Sequence, residues 1–216
     1  MLSQLHSVFT THTLIERELS DLIASGFIRK LSLRGSSTRG RGGEVTGSGG
    51  EIGLVLSSTY STLLSSHNLG EFSKWITGPG RTAVSISHSS LIDQGVMNEE
   101  IKKAVESGFL TIDYSIREAG YTVSVPGSGV FIKNLRGGRK ELLRSLKRQK
   151  YKEMLEKVPP SFVVLMKNLM AKKLRESILS YGFHLHELVG SGRVEVFMTP
   201  AGRGLKVTSK GLAEVK

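Results

Sequence analysis

One pattern occurs three times in this chain. Apolar residues at helical spacing run into Ser-Gly and then into a strand-like run: Leu19, Leu22 and Ile23 before Ser25-Gly26-Phe27-Ile28, Ile101, Ala104 and Val105 before Ser107-Gly108-Phe109-Leu110, and Leu185, Leu188 and Val189 before Ser191-Gly192-Arg193-Val194. The three serines are 82 and 84 residues apart, and the apolar positions fall at the same offsets from each. Spacing of i, i+3 and i+4 lays one apolar face along a helix, and a glycine just past the last turn takes the left-handed conformation that stops it. Repetition of such a stop at a nearly constant interval predicts a chain of similar modules.

A hairpin is expected after each stop. In the second copy, residues 109–114 and 121–125 are β-rich and flank a short turn ending at Gly120. In the third, Val194–Met198 and Leu205–Val207 flank Pro200-Ala201-Gly202-Arg203-Gly204. The first has a longer Gly/Arg-rich loop, residues 34–50, before Ile52–Leu56. Helix, glycine stop and hairpin form the back half of a winged helix.

The front half is clearest in the middle copy. Leu69, Phe72, Trp75 and Ile76 mark a helix face closed by Gly78-Pro79-Gly80, and Ala83–Ile86 reads as a short strand. Ser87–Asp93 suits a short helix ending near Gly95, and Asn98 is the expected cap of the next helix, with Glu99 and Glu100 in its first turn. The expected fold class is therefore α+β: three tandem winged-helix modules, at 1–57, 58–127 and 128–216. The first begins at about its second helix, so its opening helix is missing; the third carries a long basic helix.

Composition fits a folded chain, with 38% hydrophobic residues among 216. There is no cysteine, which excludes disulfides and thiolate metal sites. The first residues lack the basic and apolar regions of a signal peptide, and no apolar run approaches the roughly 18 residues of a membrane span. Neither secretion nor membrane insertion is expected.

Charge is concentrated. Residues 133–175 hold fourteen Lys/Arg against three glutamates, so this segment carries the whole formal excess of +11 and the rest of the chain is neutral. A helix is predicted from about Gly138 to Val158, stopped by Pro159-Pro160, with Leu142, Leu143 and Leu146 on one side and Lys140, Arg144, Lys147 and Arg148 roughly 120° away. Solvation alone needs charge but not charge of one sign. An uncompensated cationic segment costs self-repulsion that a polyanion relieves, and without Trp or Phe beside the lysines nucleic acid fits better than a membrane surface. Arg34, Arg39 and Arg41 in the first loop could reach a minor groove, and Lys102 and Lys103 occupy the helix that would read a major groove; a flexible loop and ordinary surface lysines are the competing readings.

Catalysis has little support. The three aspartates, Asp21, Asp93 and Asp113, lie outside any kinase-like context, and Gly-Lys never occurs, which removes the Walker loop. GSGGEIG at residues 47–53 misses the dinucleotide-binding glycine spacing. His184 and His186 are two apart, not the i, i+4 of a helical metal pair. No cofactor and no metal is expected.

The segments VPGSGVFIKNLRGGRK (125–140), LKRQKYKEML (146–155) and YGFHLHELVGSG (181–192) resemble the serine/threonine-protein kinase 19 family. That resemblance implies a nuclear, tandem winged-helix protein that binds DNA, lacks kinase activity and acts in transcription-coupled nucleotide excision repair. It places DNA-contacting cations at Lys133, Lys147 and Lys150, with a further site near Lys172 and Lys173; Arg139, within the first matching segment, completes the candidate set. The implied partners are double-stranded DNA, with RNA as the other polyanion, and transcription and repair proteins around a stalled RNA polymerase; a homodimer is compatible. The alternative function is an interaction scaffold in a transcription or repair complex with little direct DNA binding.

Overall fold

In a computed structural model, which describes residues 1–9, 11–33, 51–113, 120–148, 173–199 and 202–215, Gly26, Gly108 and Gly192 all have positive φ, at 83°, 82° and 70°. Each closes its helix with the same bonds. The serine N–H reaches back four residues, the glycine N–H three, and the next residue's N–H five, to Leu22, Ala104 and Leu188. This double wrap satisfies carbonyls that a helix end leaves orphaned. An antiparallel hairpin follows each stop: β1 (Ile28–Leu33) with β2 (Glu51–Leu56), β4 (Leu110–Asp113) with β5 (Gly120–Val123), and β6 (Val194–Thr199) with β7 (Gly202–Val207).

Around the second stop the order is helix α4 (Gly70–Thr77), strand β3 (Ser85–Ser87), helices α5 (His88–Asp93) and α6 (Asn98–Glu106), then the β4–β5 hairpin. β3 pairs with β5, giving the sheet order β3-β5-β4. This is the element order of a winged helix. The cap of α6 differs from expectation: Asn98 is its first residue, and Met97 precedes it without a side-chain bond. Glu100 instead reaches across to α4, where its carboxylate accepts from the N–H groups of Glu71 and Phe72 at 3.1 Å. An acid at a helix N-terminus meets both free donors and the positive end of the dipole.

Packing divides the chain differently from the three expected ranges. It forms two compact units, one of residues 13–129 and one of residues 1–12 with 130–216. In the first, Leu31 of β1 shares one core with Tyr60 and Leu64 of α3 (Ser57–Ser65), Phe72 and Ile76 of α4, and Phe109. Arg29 of β1 is buried over the Tyr60 ring and donates to the carbonyls of Gly80 and Ile76. The boundary expected at residue 57 therefore runs through a single core. By contrast, α2 (His12–Ala24) buries only Ile15, and Leu14, Leu22 and Phe27 stay exposed.

In the other unit the opening helix α1 (Leu2–Val8) lies on α8 (Tyr181–Gly190), where the Gln4 amide donates to the Phe183 carbonyl at 3.1 Å. Gly190 permits the approach, because a Cβ there would meet the Ser3 carbonyl. The core joins Leu142 and Leu143 of α7 (Ser128–Arg148) to Tyr181, Leu185, Leu188, Val194 and Leu205. A short helix α9 (Ser209–Ala213) follows β7. Among the described residues no helix is long and apolar enough to cross a membrane.

Candidate nucleic-acid interface

Helix α7 begins ten residues before the position expected from sequence, because Gly137-Gly138 lies inside the helix rather than at its start. Glycine in a helix interior costs roughly 1 kcal/mol relative to alanine. Here close packing explains both residues: a Cβ on Gly138 would lie 2.2 Å from Nε2 of His184, and one on Gly137 2.4 Å from the Glu176 carbonyl. The buried face runs Ile132, Leu135, Arg139, Leu142 and Leu143 at spacings of three and four.

The opposite face is a cationic stripe. Lys133, Arg136, Lys140, Arg144, Lys147 and Arg148 are all exposed. At 100° per residue they share an arc of about 120°, and from first to last they span about 22 Å of helix. Arg144 pairs with Glu176 at 3.5 Å on the surface. The other five have no carboxylate partner among the described residues.

Residues 175–178 are docked along this stripe. The Glu141 carboxylate accepts from the N–H groups of Arg175 and Glu176 at 2.9 Å, and Asn134 Oδ1 accepts from the Ile178 N–H at 2.9 Å. These bonds bring Arg175 to a groove lined also by Lys133, Arg136 and Lys140. Glu141 thus spends its charge on backbone donors instead of on the neighbouring cations. Lys173 is exposed two residues earlier.

The candidates fare differently. Lys133 and Lys147 lie on the stripe, and Lys150 and Lys172 fall outside the described residues, as do Arg34, Arg39 and Arg41. Arg139 is a correction: its side chain is 3% exposed. It donates twice to Glu187, at 2.7 and 3.0 Å, and once to Glu214 at 3.1 Å. Arg193 adds a bond to Glu214 and an ion pair to Glu187 at 3.6 Å. Arg139 therefore ties α7 to α8 and to the residue after α9, and it is no surface contact for phosphate. Sequence reasoning missed Arg136 and Arg175. Arg136 was findable, since the i+3 and i+7 spacing from Lys133 continues through the glycines; Arg175 reaches the groove only through the Glu141 bonds.

His184 is fully buried and its Nε2 shares a hydrogen bond with Ser177 Oγ at 2.9 Å, while His186 Nδ1 bonds Ser7 Oγ at 2.9 Å. Burial, reinforced by the Arg139 charge and only partly opposed by Glu141, lowers the His184 pKa to about 4. On α6, Lys102 and Lys103 are exposed, and Lys102 makes a loose 4.0 Å pair with Glu106.

The family described as inactive serine-threonine protein kinase 19 matches residues 1–158, which include the whole stripe of α7. The chain belongs to this family. Winged helix repair factor 1 of Xenopus laevis is 34% identical over 111 residues, half of this chain and 37% of that protein. The serine/threonine-protein kinase mug51 of Schizosaccharomyces pombe is 32% identical over 114 residues, 53% of this chain and 35% of the relative. Those matches thus span just over a third of each relative's length. Human winged helix repair factor 1 aligns more fully, at 25% identity over 95% of this chain and 74% of its own. Although the yeast relative is named a kinase, the family is described as inactive. Lys172, Lys173 and Arg175 lie beyond the matched range of this inactive kinase 19 family.

Proposed function

We propose that the chain is a non-enzymatic winged-helix protein that binds double-stranded DNA, built from three related helix, glycine-stop and hairpin units. It acts in the nucleus as an accessory factor in transcription-coupled nucleotide excision repair, beside transcription and repair proteins at a stalled polymerase. The observation that carries this reading is the α7 stripe, where five of six exposed cations lack a carboxylate partner among the described residues. Their length of helix, about 22 Å, spans several phosphates of a duplex, and release of counterions from those phosphates drives binding. The repair-factor names of the relatives support a role in repair.

The test is a titration of duplex DNA with the full chain and with Lys133→Glu, Lys147→Glu and Lys150→Glu combined. The triple variant is expected to bind at least tenfold more weakly while remaining folded. Unchanged affinity at physiological salt would remove α7 as the site. A second reading, a protein-docking scaffold, is favoured by one observation: Leu14, Leu22 and Phe27 stay exposed around α2. That reading expects the triple variant to keep its DNA affinity and to lose a protein partner.

A further inference from the structure

We propose that the outer part of strand β6, Val196 to Met198, is an apolar wedge for the junction between paired and unpaired nucleic acid, with Phe197 stacking on an unpaired base. This rests on the nucleic-acid-binding reading above and adds to it a preferred substrate, a fork rather than a continuous duplex.

The hairpin is anchored at its base and exposed farther out along β6. At the base, Val194 and Leu205 are buried, and Thr208 bonds the Arg193 carbonyl through both its N–H and its hydroxyl, at 3.0 and 3.1 Å. Farther out along β6, past the exposed Glu195, three consecutive apolar side chains lack cover: Val196 is 44%, Phe197 39% and Met198 75% exposed. Strand alternation puts Val196 and Met198 on one face and Phe197 on the other. A flat protein partner could cover one of these faces. Insertion between two layers, as into a stack of bases, covers both together, and Phe and Met are among the side chains that do this.

Phe197 is also held in place. It faces Gly204 across the hairpin, and a Cβ at residue 204 would lie 2.4 to 2.8 Å from three of its ring atoms. The ring therefore lies over the bare Gly204 backbone with its other side outward, a pre-set stacking platform. Lys206 is exposed on the same face, directly across from Glu195 but without an ion pair to it. An aromatic platform beside a cation suits a base and its phosphate. The same compact unit carries the α7 stripe, so the counter-charge for a nucleic-acid strand is already present in it.

The experiment compares a blunt duplex with a forked duplex carrying 2-aminopurine at its first unpaired position, using the full chain. The fork is expected to bind about tenfold tighter, with a change in 2-aminopurine fluorescence, from the stacking of one base. Phe197→Ala should bring fork affinity down to the duplex level while duplex affinity holds; Phe197→Tyr should keep the preference. Met198→Ser, at a position 75% exposed, should weaken the preference too. Duplex binding without fork preference, or a fork preference that survives Phe197→Ala and Met198→Ser, overturns the wedge alone. Absence of any DNA binding by the unaltered chain overturns the DNA-binding reading itself. Loss of a protein partner in Phe197→Ala with fork binding unchanged makes this part of β6 a protein anchor and overturns the wedge.

Discussion

Arg139 of α7 and Glu187 of α8 form a two-point ion pair at 2.7 and 3.0 Å with 3% and 1% of their side chains exposed. A buried pair of this kind adds little net stability, because desolvation offsets its attraction, but it is costly to break, because removing one partner leaves the other charge without compensation in a low dielectric. Arg139→Ala is expected to destabilise the unit of residues 130–216 by about 3–5 kcal/mol. Replacing both by apolar residues, as in Arg139→Met with Glu187→Leu, should cost less than the single change. Urea unfolding of the variants measures the difference.

His184 predicts an acid-sensitive unit. Its folded pKa, about 4, lies below the roughly 6.5 of an unfolded histidine, so the folded state favours the neutral ring. Its contribution is fully present above the unfolded value and is lost as pH falls from about 6.5 towards 4, on the order of 3 kcal/mol. Glu214 acts in the same direction at lower pH. Burial alone would raise its pKa, but Arg139 and Arg193 together lower it, so its stabilisation disappears as pH falls through the folded value. Urea midpoints measured between pH 7 and 4 should drop steeply, and His184→Gln should flatten the dependence over the upper part of that range.

Two glycines of the same helix should respond oppositely to alanine. Gly138→Ala drives a methyl into His184, so it is expected to destabilise despite a propensity gain of about 1 kcal/mol. Gly129→Ala meets nothing within 4 Å, and a gain of about 0.5–1 kcal/mol is expected. Thermal unfolding of the two variants separates close packing from helix propensity.

The stripe also sets the salt dependence. With about six phosphate contacts, log K should fall against log salt with a slope near −5, and each of Arg136→Gln and Lys140→Gln should reduce that slope by about one. Lys102→Gln on α6 should change it less, because α6 bears no comparable run of unpaired cations. A titration at four salt concentrations gives each slope.

The features legible in the sequence were local ones. Apolar spacing and a following glycine fall within one stretch of chain, and they act through backbone bonds closed within five residues, so the stops at Gly26, Gly108 and Gly192 and the hairpins after them needed no knowledge of the fold. The cationic face of α7 was legible for the same reason, since helical period alone sorts Lys140, Arg144, Lys147 and Arg148 onto one side. Tertiary structure decided what each charge meets. Helical period sets Arg139 on the face of Leu135, Leu142 and Leu143, yet its partners are 48 and 75 residues away, and only the approach of α8 and the residue after α9 supplies the carboxylates that allow its burial. Contact at a distance also kept Gly137-Gly138 inside a helix, moved α1 onto α8 and sent Glu100 to cap α4. A residue type states which partners it can accept; the fold decides which of them come within reach.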